Sequence, residues 1–140
     1  MTRPATRFVL DASFALAWCF HDEGTERTRG ALDDLGEGTA LVPDVLWQLE
    51  VWNALLGATR RGRLSAQGAR ESRAILAELA IRPATPPLTA VFELARAHGL
   101  SSYDGAYLAL ALQQGLPLAS LDRELNAAAE RVGVRLYGAE

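Results

Sequence analysis

The sequence contains no lysine; all 14 of its basic residues are arginine. That absence excludes a Walker lysine and Schiff-base chemistry, and it leaves any recognition of phosphate to arginine forks, backbone N–H groups or metal ions. Cysteine occurs once, at Cys19, and histidine twice, at His21 and His98. An internal disulfide is therefore impossible, and the two separated histidines offer no Cys/His zinc site. A lone thiol suits a reducing cytoplasm. No apolar run is long enough to span a membrane. The apolar stretch in the first twenty residues is interrupted by Asp11 and lacks a small-residue cleavage site, so no signal peptide and a cytoplasmic location are expected. With a net charge of -3, broad coating of nucleic acid is disfavoured, whereas binding at a metal-filled site is compatible with it.

What is present is the makeup of a globular protein, with no repeat, linker or low-complexity tract. Of 140 residues, 49% are hydrophobic and 22% charged. One domain over residues 1–140 is expected, burying about two-thirds of its unfolded surface. Arg7 to Leu10 reads as a buried strand with Asp11 at its carboxyl end, followed by a short aromatic-rich helix from Ala12 to Phe20. A polar amphipathic helix from Glu23 to Leu35 ends at Gly36 and Gly38, and Ala40 to Val42 is a second strand closed by Pro43. Asp44 can cap a long apolar helix, Val45 to Arg60, broken only by Gln48, Glu50 and Asn53. After the Arg60–Arg63 turn come a helix from Ser65 to Leu79, a third strand beginning at Ile81 and Arg82, and a loop marked by Pro83, Pro86 and Pro87. Leu88 to His98 is helical with Gly99 as its stop. Pro117 to Ala119 and Val134 to Tyr137 read as strands flanking a helix from Arg123 to Arg131. Strands alternating with helices predict an α/β sandwich whose short, largely parallel sheet of four to five strands places ligands beyond its carboxyl ends.

Between these lies the stretch Leu100 to Leu112, LSSYDGAYLALAL, which puts an acid inside an apolar helix ended by Gly115. Leu108, Ala111 and Leu112 follow Asp104 at helical spacing. A carboxylate on such a face loses hydration unless a hydrogen bond or a cation compensates. Ser101 to Asp104 also fits a capping box, in which the acid merely ties down backbone N–H groups. Three further acids invite the same two readings. Asp11 and Asp122 follow strands directly, at the edge where ligand sites form, yet each can be an N-cap. Glu50 lies among Leu46, Leu49 and Leu56, yet helices are full of solvated glutamates. Ser13 and Ser120, each two residues from an aspartate, can orient carboxylates or serve as turn hydroxyls. Asn53 can anchor Glu50 or satisfy nearby backbone.

If the four acids converge, mutual repulsion raises their pKa values and opposes folding unless a cation fills the site. Carboxylates and water form a hard oxygen site suited to Mg²⁺ or Mn²⁺, which lowers the pKa of a bound water and orients it toward phosphorus.

The segments VLDASFALAW, VPDVLWQLEVWNAL, LSSYDGAYLALA and LASLDREL, in this order and at these separations, resemble the PIN-domain family, specifically the VapC-type toxin ribonucleases of bacterial toxin-antitoxin pairs. The resemblance spans nearly the whole chain. It implies a PIN-like three-layer α/β/α sandwich and four acids that meet around Mg²⁺, with Mn²⁺ as a substitute, to cut RNA. By it, Asp11 and Asp104 are chiefly metal ligands, Glu50 and Asp122 complete the acidic pocket, and Ser13, Asn53 and Ser120 match polar supporting positions. The family often has threonine where Ser120 stands, a change that keeps the hydroxyl. The resemblance further implies a homodimer neutralised by a small VapB-type antitoxin. Phe14, Trp18, Phe20, Trp47 and Trp52 suit either a groove for a partner helix or the core, and Arg60, Arg61, Arg63 and Arg123 suit RNA contact or solvent. Two rival functions are a non-cleaving PIN-like module that grips RNA or protein, and phosphotransfer through Asp11. The missing lysine counts against the second, as does Ser13 where a phosphatase motif carries another Asp.

Overall fold

The structure is a computed structural model that describes residues 6–138; the domain expected over residues 1–140 runs past the described residues at both ends. Four strands, β1 Arg7–Leu10, β2 Thr39–Pro43, β3 Ile81–Ala84 and β4 Leu118–Ala119, form one parallel sheet in the order β3-β2-β1-β4. Parallel neighbours need crossovers, and the helices that supply them cover the sheet in an α/β/α arrangement. Phe8, Val9, Leu10, Ala40, Val42 and Leu118 are accordingly buried. From β1 the chain steps outward through β2 to β3, and β4 then returns to the other side of β1. The strand order reverses at the β1/β4 seam, which is where such sheets leave a crevice at their carboxyl ends.

The helices are α1 Ala12–Leu16, α2 Glu26–Asp34, α3 Leu46–Arg60, α4 Ala66–Ala77, α5 Leu88–His98, α6 Ser102–Gln114 and α7 Arg123–Arg131. The innermost is α6, buried at every residue from Gly105 to Ala111, where each fully buried leucine contributes about 1.5–3 kcal/mol. Gly105 lets it lie close against α5, because a Cβ there would stand 3.0 Å from the Val91 carbonyl oxygen. Among the described residues no helix is long and apolar enough to cross a membrane.

Several expectations are corrected. The helix expected over Ala12 to Phe20 stops at Leu16, and that expected from Glu23 is split, with a 3-10 turn at His21–Glu23 before Thr25 caps α2 through a reciprocal bond with Thr28. Pro83 lies within β3 rather than in a loop; β3 is the sheet's edge, where a missing N–H costs no ladder bond. Val134 to Tyr137 adds only one isolated bridge, Leu136 to Leu118, because β4 is two residues long and offers little to pair with. Among the described residues the sheet therefore has four strands.

Asp44 does not cap α3. The N-cap position is Val45, at φ 65° and ψ -47°, and no side chain caps the helix. The Leu46 N–H instead donates to the Asp44 carbonyl at 2.8 Å, closing a γ-turn on a β-branched residue for which positive φ is costly. Val45 is 57% exposed, so little burial offsets the strain. Replacing it with glycine should relieve more strain than the extra freedom of the unfolded chain costs, for a net gain of about 1 kcal/mol. The expected result for Val45→Gly is a Tm higher by about 4 °C; an unchanged or lower Tm would show the turn to be unstrained.

Candidate active site

Asp11 leaves the end of β1 and sits between two hydroxyls from opposite ends of the chain. Its Oδ2 accepts from Ser13 Oγ at 2.6 Å and from Ser120 Oγ at 2.8 Å. The second contact follows from the sheet: β1 pairs with β4, and the Asp11 N–H donates to the Ala119 carbonyl at 2.9 Å, so Ser120 must emerge beside it. Each hydroxyl is also an acceptor, Ser13 Oγ from the Leu121 N–H and Ser120 Oγ from the Asp122 N–H, both at 3.0 Å. A hydroxyl has one proton to give, and here both protons go to Asp11. Asp11 is 5% exposed and does not cap α1 through its side chain. Burial pushes its carboxyl above the usual range, the two hydroxyls oppose that shift, and Asp122 adds to it.

Asp104 enters from α6. Half of the expected capping box is present, since Ser101 Oγ accepts the Asp104 N–H at 3.1 Å. The carboxylate itself makes no return bond to the backbone among the described residues and is left to the crevice. Its pKa is pushed up to about 6, first by burial and then by Asp122, Asp11 and Glu124. Glu50 is half-buried on α3, and its Oε1 accepts from the Tyr107 hydroxyl at 2.6 Å. Burial raises Glu50 as well, with Asp11 and Asp104 adding repulsion against the lowering effect of Tyr107. Asp122 takes both roles open to it: its Oδ1 caps α7 through the Leu125 N–H at 2.9 Å, while its charge bears on Asp11 and Asp104.

Four acids expected to share a site thus act on one another electrostatically. Of the expected hydroxyl supports, Ser13 and Ser120 both donate to Asp11. Asn53 is not among them: it is exposed, bonds nothing to Glu50, and lines a neighbouring groove. The apolar face of α6 holds at Leu108 and Ala111, whereas Leu112 is 43% exposed. Two participants were missed. Tyr107, fully buried, is three residues after Asp104 and so projects from the same helix face; Glu124 is two residues after Asp122, in the first turn of α7. A cleft of about 840 Å³ opens at the other end of the strands beside Thr6, Arg7, Pro117 and Tyr137, and brings no group of acids together.

Among the described residues no three acidic, histidine or cysteine side chains close on one point. Mg²⁺ is usually held through only one or two carboxylates and keeps its remaining positions for water and phosphate oxygens. The donors present are all oxygen, as a hard cation requires.

The PIN domain family model matches residues 8–131. Ribonuclease VapC3 of Pyrobaculum aerophilum is 34% identical over 123 residues, which are 85% of this chain and 92% of that protein. A crystal structure of a P. aerophilum protein aligns with TM-score 0.69 and 30% identity over 89% of this chain and 80% of its own. A toxin-antitoxin complex from Klebsiella pneumoniae shares the fold at TM-score 0.57 and 15% identity, covering 82% of this chain and 86% of that one.

The Asp104 carboxyl has a folded pKa of about 6 against an ordinary 3.8. Between those values the native state binds more protons than the unfolded chain, so without divalent cation stability falls as pH rises through that window. Metal-free protein should melt at a higher temperature near pH ~5 than near pH ~7, and Asp104→Asn should shrink the difference. A metal-free Tm that rises over this interval, or a difference that Asp104→Asn leaves unchanged, would refute the crowding of these charges.

Proposed function

The chain belongs to the PIN-domain family, among its VapC-type members, and on that premise we propose that it is a Mg²⁺-dependent endoribonuclease, the toxin of a toxin-antitoxin pair. The observation that carries the proposal is the placement of Asp104, on α6, where burial and the charges of Asp122 and of Asp11 at the end of β1 raise its proton affinity. Such a cluster is stable when a cation neutralises it. The name of the P. aerophilum relative, a ribonuclease, supplies the substrate class.

Asp11 and Asp104 would hold Mg²⁺, or Mn²⁺ in its place. Once bound, the ion supplies a Lewis acid that acidifies water and offsets charge on a phosphate. Ser13 and Ser120 direct both of their protons to Asp11 Oδ2, which fixes the carboxylate and leaves Oδ1 without a hydroxyl partner among the described residues. Tyr107 fixes Glu50 by one oxygen, Oε1, and leaves Oε2 without a hydrogen-bond partner among the described residues. A glutamate whose pKa is raised toward neutrality is suited to take the proton released as water attacks phosphorus and a P–O bond breaks. Asp122, bound to the start of α7 by Oδ1, adds negative charge that favours cation over phosphate until both are present.

Exposed apolar side chains are consistent with further partners. Val45, Leu49, Trp52 and Leu56 line one side of α3, and Leu88, Phe92 and Tyr103 cluster around α5 and the start of α6. Two such surfaces suit burial against a second copy and against a small antitoxin; a solved relative with this fold is a toxin-antitoxin complex. Phe14 and Trp47, by contrast, are core residues.

Asp11→Asn and Asp104→Asn should each remove RNA cleavage while the protein stays folded, as read by circular dichroism and Tm. Ser120→Ala, which frees one bond to Asp11, should weaken Mg²⁺ or Mn²⁺ binding about 10–100-fold in calorimetric titration. A folded Asp104→Asn protein that cuts RNA at the wild-type rate would defeat the assignment. Metal binding without any cleavage would favour the non-cleaving module.

A further inference from the structure

Beside the acids, a groove of about 420 Å³ runs between α1 and α3, lined by Leu16, Phe20, Asn53 and Gly57 and closed by Arg60, Arg61 and Arg63. Resting on the ribonuclease reading above, we propose that this groove is a subsite for the phosphate backbone of single-stranded RNA upstream or downstream of the cut, gripped by Arg60 and Arg61.

The first argument is register. Glu50, Asn53, Ala54, Gly57, Arg60 and Arg61 recur at three- and four-residue steps, so one stripe of α3 leads from the acidic crevice to the arginines. The ten residues from Glu50 to Arg60 rise about 15 Å, a few nucleotides' reach along a strand. α1 forms the other wall, with Asp11 before its start and Leu16 at its end.

The second argument is which arginines are committed elsewhere. Arg63 pairs with Asp22 at 2.8 Å and Glu23 at 2.9 Å and lies over the Phe20 ring at 4.4 Å. It thereby neutralises Glu23, the one acid in the groove wall. Arg27 and Arg73 lie over aromatic rings, and Arg96 pairs with Glu93. The guanidinium groups of Arg60 and Arg61 make no ion pair among the described residues. A chain of net charge -3 with an acidic centre needs cations to draw a polyanion in, and these two are placed to do it.

The third argument is Gly57. Cations at the end of α3 would suit its dipole wherever they pointed. A glycine inside a 15-residue helix, however, costs up to about 1 kcal/mol relative to alanine. Its effect here is room: a Cβ at Gly57 would stand 3.1 Å from Arg61 Nη1. The Arg61 side chain, though exposed, therefore lies back over Gly57 on the groove face of α3, one turn nearer Glu50 than its own backbone.

The test pairs binding with cleavage. In an Asp104→Asn background without divalent cation, anisotropy of a labelled single-stranded RNA of about twelve nucleotides gives affinity as a function of salt. Adding Arg60→Gln and Arg61→Gln should lower affinity about tenfold and flatten the log–log salt slope by about 0.7 per lost phosphate contact. Gly57→Met fills the groove with all charges retained, and should lower affinity while Tm holds or rises. In the otherwise wild-type protein the arginine changes should raise KM for the long RNA and leave kcat for a trinucleotide unaltered. Unchanged affinity and salt slope in folded variants, with wild-type protein still cutting RNA, would overturn this inference alone and assign the arginines to a protein partner or to solvent. Wild-type protein that neither binds nor cuts RNA would overturn both this inference and the ribonuclease reading.

Discussion

The interaction on which this structure turns is repulsive. Asp11, Glu50, Asp104 and Asp122 come from four separate parts of the chain, and the fold brings their charges within reach of one another in a setting that is at best half-wet. Nothing in that meeting stabilises the metal-free chain. It is imposed by elements whose own stability is supplied elsewhere: β1 and β4 by their ladder and the apolar runs they bury, and α6 by a buried stretch from Gly105 to Ala111. The acids occupy the margin of that core, where the carboxyl ends of β1 and β4 part and the strand order reverses.

Local hydrogen bonding makes the arrangement tolerable and gives it shape. Ser13 and Ser120 each bridge Asp11 to a backbone N–H of the 120–122 turn, so the loop that carries Asp122 is tied to the residue it repels. Tyr107 does the corresponding work across the crevice, linking α6 to Glu50 on α3. Burial, and after it the charges on Asp11 and Glu50, pushes the Tyr107 hydroxyl far above its usual pKa, so it remains a donor to Glu50. Donors aimed at carboxylates set the geometry, and the charge they leave uncompensated is of the kind that a hard cation would neutralise.

Much of this was legible in the residues, and the failures have physical causes. β1, α5 and α7 fall where apolar period and glycine stops placed them, because those signals are local. The four acids were legible because each breaks an apolar pattern or follows a strand. Asp44 was misread because an aspartate before an apolar helix is ordinarily a cap; the turn at Val45, set by how β2 meets α3, overrides that preference. Tyr107 was passed over because a tyrosine within an apolar helix looks like core, which it also is, and only the position of α3 reveals what its hydroxyl meets. Asn53 shows the reverse error. Spacing put it on the same side as Glu50, but one turn of helix is enough to carry it out of the crevice and into the adjoining groove.

That last displacement bears on how α3 divides its surface. Trp47, Val51, Leu55 and Ala58 form a stripe buried in the core, while Leu49, Trp52 and Leu56 form another that is exposed. The stripe from Glu50 to Arg61 lies apart from both and changes sign along its length, acidic beside β1 and basic at the far end. A polyanion laid along it would meet cations first and the negative crevice last. Approach to the crevice itself is then favourable only once its own charge has been neutralised, so the same repulsion that burdens the fold would make seating of a phosphate at the acids, as distinct from capture by the arginines, depend on the bound cation.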